Sequence, residues 1–211
     1  MRLVCISDTH SMHNKMPTIP DGDVLIHAGD SLGQGSLVNL MALNAWLGEL
    51  PHQHKILIAG NHDEIFQTQP ELARAAVTEA IYLEDRGVEI DGFYFWGSPW
   101  TPMFMNWSFM LDPQSLALKW QEIPQNTDVL ITHGPPKGLG DRIPNGYRNI
   151  HVGDQFLRSR VAEIQPKLHV FGHIHEGYGC YQMNSTQLIN ASTCNEIYRP
   201  DNPPIVIDLP L

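Results

Sequence analysis

Leu168-His-Val-Phe-Gly-His-Ile-His175 begins as a buried strand and stops on Gly-His-x-His. Four other stretches share that layout. Arg2-Leu-Val-Cys-Ile6 runs into Ser7-Asp8-Thr-His10, and Asp23-Val-Leu-Ile-His27 into Ala28-Gly-Asp30. Lys55-Ile-Leu-Ile-Ala59 runs into Gly60-Asn-His-Asp63, and Asp128-Val-Leu-Ile131 into Thr132-His-Gly. Short apolar runs rich in Val and Ile predict strands buried on both faces. Apolar spacing and capping residues between them predict helices over 35–50, 71–80, 113–122 and 153–164, with Asp112 as the N-cap of the third. Strand-helix alternation predicts an α/β layered fold with a mainly parallel sheet. Ligands in such folds gather outside the carboxyl ends of the strands. All five polar clusters sit there, so residues from Asp8 to His175 can converge on one site.

Other segments predict a second sheet packed on the first, within one domain spanning 1–211. Residues 88–96 form a hairpin around Asp91-Gly92. Residues 177–189 form another, turning near Asn184-Ser185, and 202–208 give a last short strand. The 100–107 loop, rich in aromatics and Met, has two readings: core packing, or one wall of a pocket.

Composition narrows the function. A chain of 211 residues supports one sizeable core. No apolar run approaches the ~20 residues that span a bilayer. The Leu3 to Ile6 run meets Asp8 too soon for a signal peptide, so a cytoplasmic location is the default and no membrane partner is expected. Cys5, Cys180 and Cys194 are far apart and form no Cys-x-x-Cys pair, which predicts buried free thiols. A net charge of -10 argues against nucleic-acid backbone binding. It leaves room for a small phosphorylated substrate if bound cations reverse the local sign.

The 11 histidines stand out. Asp8, His10, Asp30, Asn61, His133, His173 and His175 offer three oxygen and four imidazole donors, with no thiolate. That set suits Mn, Fe, Zn or similar ions better than calcium. Seven donors are too many for one such ion and fit two if a carboxylate bridges. Paired divalent ions serve phosphoryl displacement.

The order Asp-x-His, Gly-Asp, Gly-Asn-His-Asp, His, Gly-His-x-His resembles the signature of the calcineurin-like metallophosphoesterases, with no signature position missing. The wording from "ISDTH" to "NPPIVIDLP" is most similar to the small metallophosphoesterase-domain subgroup, which includes class III cyclic nucleotide phosphodiesterases. The resemblance implies a four-layer α/β/β/α sandwich with two mixed sheets. It also implies a phosphodiesterase acting on cyclic nucleotides or other small phosphodiesters, with hydroxide between two divalent metals as attacking species and Mn the metal expected in vitro. By the same resemblance, Asp8, His10 and His175 hold one metal, and Asn61, His133 and His173 the other. Asp30 bridges them. His62 faces the substrate as proton or hydrogen-bond donor, and Asp63 orients His62 or closes the loop.

Two other readings stay open: a phosphomonoesterase acting on nucleotides or proteins, and a weakly catalytic metal-binding scaffold. His27 reads as a core histidine or a partner to a ligand. His13 reads as a solvated loop residue or a substrate contact. The loop from Lys137 to Arg142 is a phosphate loop or an ordinary surface loop. Asn106 and Trp107 are core, or the lining of a base pocket.

Overall fold

Leu3, Val4, Cys5 and Ile6 are all fully buried, yet they serve two different cores. Successive strand side chains point to opposite faces. Leu3 and Cys5 therefore face a second sheet, and Val4 and Ile6 face helices.

The computed structural model describes residues 1–146 and 148–210. The strands are β1 (Arg2–Ile6), β2 (Val24–His27), β3 (His54–Leu57), β4 (Ile81–Tyr82), β5 (Arg86–Ile90), β6 (Phe93–Ser98), β7 (Thr101–Pro102) and β8 (Met110–Leu111). There follow β9 (Val129–Thr132), β10 (Arg142–Asn145), β11 (Arg148–His151), β12 (Leu168–Phe171), β13 (Gly179–Met183), β14 (Thr186–Asn190) and β15 (Ile205–Asp208). The helices are α1 (Leu37–Glu49), α2 (Ile65–Thr68), α3 (Pro70–Ala76), α4 (Pro113–Gln121) and α5 (Gln155–Ile164).

One sheet has the order β15-β1-β2-β3-β4 and the other β13-β14-β12-β9-β6-β5. In the first, β1 to β4 run parallel and β15 lies antiparallel to β1. In the second, β14, β12, β9 and β6 run parallel, while β13 and β5 are antiparallel hairpin partners. Leu3, Cys5, Ile26 and Ile56 meet Phe95, Val129, Val170 and Ile189 between the sheets. Leu40, Leu43, Trp46 and Phe66 cover the outer face of the first sheet. Leu116, Trp120, Leu157 and Val161 cover that of the second. The result is the α/β/β/α sandwich of two mixed sheets.

Local signals explain the main elements. Asp112 caps α4 by accepting from Gln114 N and Ser115 N, with Pro113 in the first turn. Asp154 caps α5 and accepts from Trp120 Nε1 at 3.0 Å, which ties α4 to α5. Asp91 and Gly92, with φ of 48° and 80°, make the tight turn between β5 and β6.

Several expectations need correction. The five similar strands do not share one sheet: β1, β2 and β3 lie in the first, β9 and β12 in the second. The last strand joins the first sheet beside β1, so it is not part of the second. The helix expected over 71–80 ends at Ala76, and α2 was not foreseen. Cys180 is exposed, and only Cys5 and Cys194 are buried. No helix among the described residues is long and apolar enough to cross a membrane.

Candidate metal centre and adjoining cavity

The carboxyl ends of both sheets meet. Ser7, just past β1, bridges Ser192, just past β14, and Ser7 O accepts from Thr193 N at 2.8 Å. The loops after β1, β2, β9, β12 and β3 therefore face one another.

These loops leave their strands abruptly. Asp8, His10, Asp30 and His173 all have positive φ, from 44° to 67°. Non-glycine residues are uncommon in that region, Asp and His entering it more readily than most, and such conformations gather at functional sites. The glycines of the motifs answer to crowding. A Cβ on Gly172 would lie 2.0 Å from Asp8 Oδ2, and one on Gly60 would lie 2.3 Å from Asp30 Oδ1.

Among the described residues, three triads could hold a cation, each with donor atoms within 4.8 Å of one another: Asp8, His10 and His175; Asp30, His133 and His173; and His10, Asp30 and His62. Asn61 joins the second, its Oδ1 lying 2.9 Å from His133 Nε2. All nine residues singled out from the sequence thus lie in or beside one cluster. Distance alone does not separate His62 from the ligands.

The tautomers are fixed from outside. His133 Nδ1 donates to Ala28 O at 3.0 Å, and His175 Nδ1 donates to Asn195 O at 3.0 Å. Each ring thus turns Nε2 inward, as in metal sites whose outer partners orient the imidazoles. His133 Nε2 lies 3.4 Å from Asp30 Oδ2. His175 Nε2 lies 3.5 Å from Asp8 Oδ1 and 3.3 Å from His10 Nε2. While the two rings are neutral, these inward atoms are acceptors facing acceptors. A cation or extra protons must sit among them, which is the test that the donor set passes for metal binding.

Titration follows from this. Burial tends to raise the Asp30 carboxyl, but the His133 charge and hydrogen bond, then His10, hold it well below the usual range. Burial acts the same way on Asp8, and His175, His133 and His10 outweigh it downward. Burial opposes protonation of His133, yet Asp30 and then Asp8 push it up to about 9. His173 is drawn down to about 4 by burial and by His133, which leaves its ring neutral, as ligation requires.

Among the described residues, Asp63 makes no hydrogen bond to the His62 ring. Its buried carboxylate accepts from Gly60 N at 2.8 Å, Leu32 N at 2.8 Å, Ser31 N at 3.2 Å and Ser31 Oγ at 3.0 Å. Of the two roles expected, this is the geometry of a clamp closing the Gly60 to Asp63 loop. Asp63 is thus placed as a positioning residue. His62 is held by its main chain, whose N donates to Asp30 Oδ1 at 2.7 Å, so its ring reaches the cavity.

That cavity measures about 460 Å³. Asp30, Asn61, His62, His173 and His175 form its floor; Met103, Phe104, Trp107 and Tyr198 are among its walls. Trp107 lies 5.8 Å from the His62 ring between centroids, so the pocket-wall reading of the 100–107 loop holds for that residue. Asn106, Lys137 and Arg142 are not among the lining residues. His13 is buried against Trp46, neither solvated nor at the cavity. His27 is a core residue whose Nε2 meets Thr9 Oγ1 at 2.9 Å, between Asp8 and His10.

The sequence reading missed Ser192, Asn195 and Tyr198. Ser192 Oγ donates to Asp8 Oδ2 at 2.9 Å. Asn195 acts through its carbonyl, which any residue type carries. Only the polar run Ser192-Thr-Cys-Asn195, after a buried strand, hinted at them.

Known proteins resemble this chain in sequence and in fold. A family model described as calcineurin-like phosphoesterase matches residues 1–177. Human metallophosphoesterase domain-containing protein 1 is 42% identical over 233 residues, which cover 99% of this chain and 71% of that protein. Two solved structures share the fold at low identity. TT1561 of Thermus thermophilus has a TM-score of 0.60 at 10% identity, over 90% of this chain and 88% of that one. The phosphopantetheinyl hydrolase of Mycobacterium tuberculosis has a TM-score of 0.53 at 17% identity, over 90% and 88%.

Proposed function

The chain belongs to the calcineurin-like phosphoesterase family, and from that premise we propose that it is a binuclear metal-dependent phosphoesterase preferring small phosphodiesters. Asp30 is the observation that carries this reading. Its donor atoms lie within 4.8 Å of that of His10 on one side and of those of His133 and His173 on the other, as a bridging carboxylate requires. Asp8, His10 and His175 would then hold one ion, and Asn61, His133 and His173 the other. Two divalent ions bound there would supply Lewis-acid polarisation of a phosphoryl oxygen and would lower the pKa of a water.

The chain's own residues do the rest. His62 reaches into the cavity beside His10, with ring centroids 4.8 Å apart, and is placed to donate to the departing oxygen. Asp63 holds the loop that presents it. The cavity is of small-ligand size. Aromatic and Met side chains line it, together with Glu176 and Glu196, and no Lys or Arg does among the described residues. Such walls favour a monoanionic diester with an uncharged organic group, of which a cyclic nucleotide is one, over a dianionic monoester.

Mn-loaded protein assayed on bis(p-nitrophenyl) phosphate, p-nitrophenyl phosphate, cyclic AMP, 2′,3′-cyclic nucleotides and a phosphopeptide tests the reading. Higher kcat/KM on the diesters supports it. Faster monoester hydrolysis replaces it with the phosphomonoesterase reading, and a metal-replete protein inert on the whole panel leaves a scaffold.

A further inference from the structure

Tyr198 has a φ of 57°, a region that a bulky side chain occupies only under constraint. The constraint is Asn195. Its carbonyl accepts from Tyr198 N at 2.9 Å, and its Oδ1 accepts from Ile197 N at 3.1 Å and Arg199 N at 2.9 Å. The same carbonyl accepts the Nδ1–H of His175. One residue thus orients a candidate ligand and forces the loop that carries Tyr198.

The strained loop lays the Tyr198 ring beside the rings of His10 and His175, at centroid distances of 4.9 and 5.0 Å. The residue remains 51% exposed and lines the cavity. A ring held in place by a strained backbone, yet left half bare over the candidate metal ligands, has an open face for a bound molecule.

We infer that Tyr198 is a substrate-contacting residue whose ring packs on the ester group that stays on phosphorus and selects a flat, aromatic group there. The inference rests on the phosphodiesterase reading above. His62 and Tyr198 both flank the His10 ring. With His62 facing the departing oxygen, Tyr198 is left for the other ester arm. Glu196 lines the cavity as well, and neither it nor Glu176 has an ion-pair partner among the described residues, which disfavours an anionic group on that arm. Aromatic stacking is worth about two- to tenfold in affinity.

Two readouts on Mn-loaded protein test this: the Kd ratio of methylphosphonate to phenylphosphonate by calorimetry, and the kcat/KM ratio of phenyl to methyl p-nitrophenyl phosphate. Wild type should favour the phenyl member in both, by roughly two- to tenfold. Tyr198→Ala and Tyr198→Leu should lower both ratios by roughly two- to tenfold relative to wild type, while Tyr198→Phe, which keeps the ring, should retain them. Ratios unchanged in the Ala and Leu variants overturn the inference. So does a parallel fall in metal content and in both members of each pair, the mark of a purely structural role. A wild type that hydrolyses neither ester overturns the phosphodiesterase reading itself, which is a different result.

Discussion

The Nδ1–H of His175 donates to the carbonyl oxygen of Asn195 at 3.0 Å, which leaves Nε2 to face Asp8 and His10. The Asn195 side chain keeps that carbonyl in place through its bonds to Ile197 N, Arg199 N and Asp201 Oδ2. Outer partners of metal-bound histidines are typically worth 10- to 100-fold in affinity or activity. Asn195→Ala acts on the carbonyl indirectly, so Mn affinity should fall by about tenfold, the low end of that range. Metal titration by calorimetry checks this, and unchanged affinity would count against the positioning role.

Replacing His62 separates acid from ligand. Its main-chain bond to Asp30 survives loss of the ring. His62→Ala should therefore keep its metal and lose roughly 10²- to 10⁴-fold in rate, more with poor leaving groups. A series of aryl methyl phosphates of rising leaving-group pKa reads this as a steeper slope. Metal content falling in step with rate would make His62 a ligand instead.

Asp63 is a stability determinant. Three backbone N–H groups and one hydroxyl donate to its two oxygens inside the fold. Each buried donor left unpaired costs about 1–3 kcal/mol. Asp63→Ala should lower the unfolding free energy by about 3 kcal/mol or more. Asp63→Asn should not restore it, because its amide sets donors against donors. Urea unfolding of the three proteins decides.

The strand ends were legible because Leu168 to Phe171 and its counterparts are buried on both faces and then stop on donor residues. Which sheet each strand joins was not legible. The Val129 and Leu168 runs look locally like the Leu3 and Val24 runs. They differ in their partners: β9 lies between β6 and β12, and only long-range register decides that. The ligand candidates could be read from residue type, order and family likeness. Tyr198 could not, because its place depends on a backbone carbonyl and a strained φ. Asp63 was seen, but three of the four donors to its carboxylate, Ser31 N, Ser31 Oγ and Leu32 N, lie on a loop thirty-odd residues away.

Acid should destabilise the fold through His169. Burial draws its imidazole down to about 3 from 6.5. Its Nε2 is engaged by Thr132 Oγ1 at 2.8 Å, and Nδ1 has no partner. The unfolded chain takes up the proton first as pH falls. The stability gained by keeping this ring neutral is complete above about pH 6.5 and drains away toward pH 3. Between pH 7 and pH 5 this group should cost about 2 kcal/mol. Urea unfolding at the two pH values should show a loss smaller by about that amount in His169→Asn than in wild type. Equal losses would contradict the assignment.

Elemental analysis of metal per chain, in wild type and in Asp30→Ala after equilibration with Mn and removal of free ions, tests the central claim most directly. The account predicts two ions per chain in wild type and one or fewer in the variant, because Asp30 contributes to both positions. A wild type holding no more than one ion, or a variant still holding two, would contradict it.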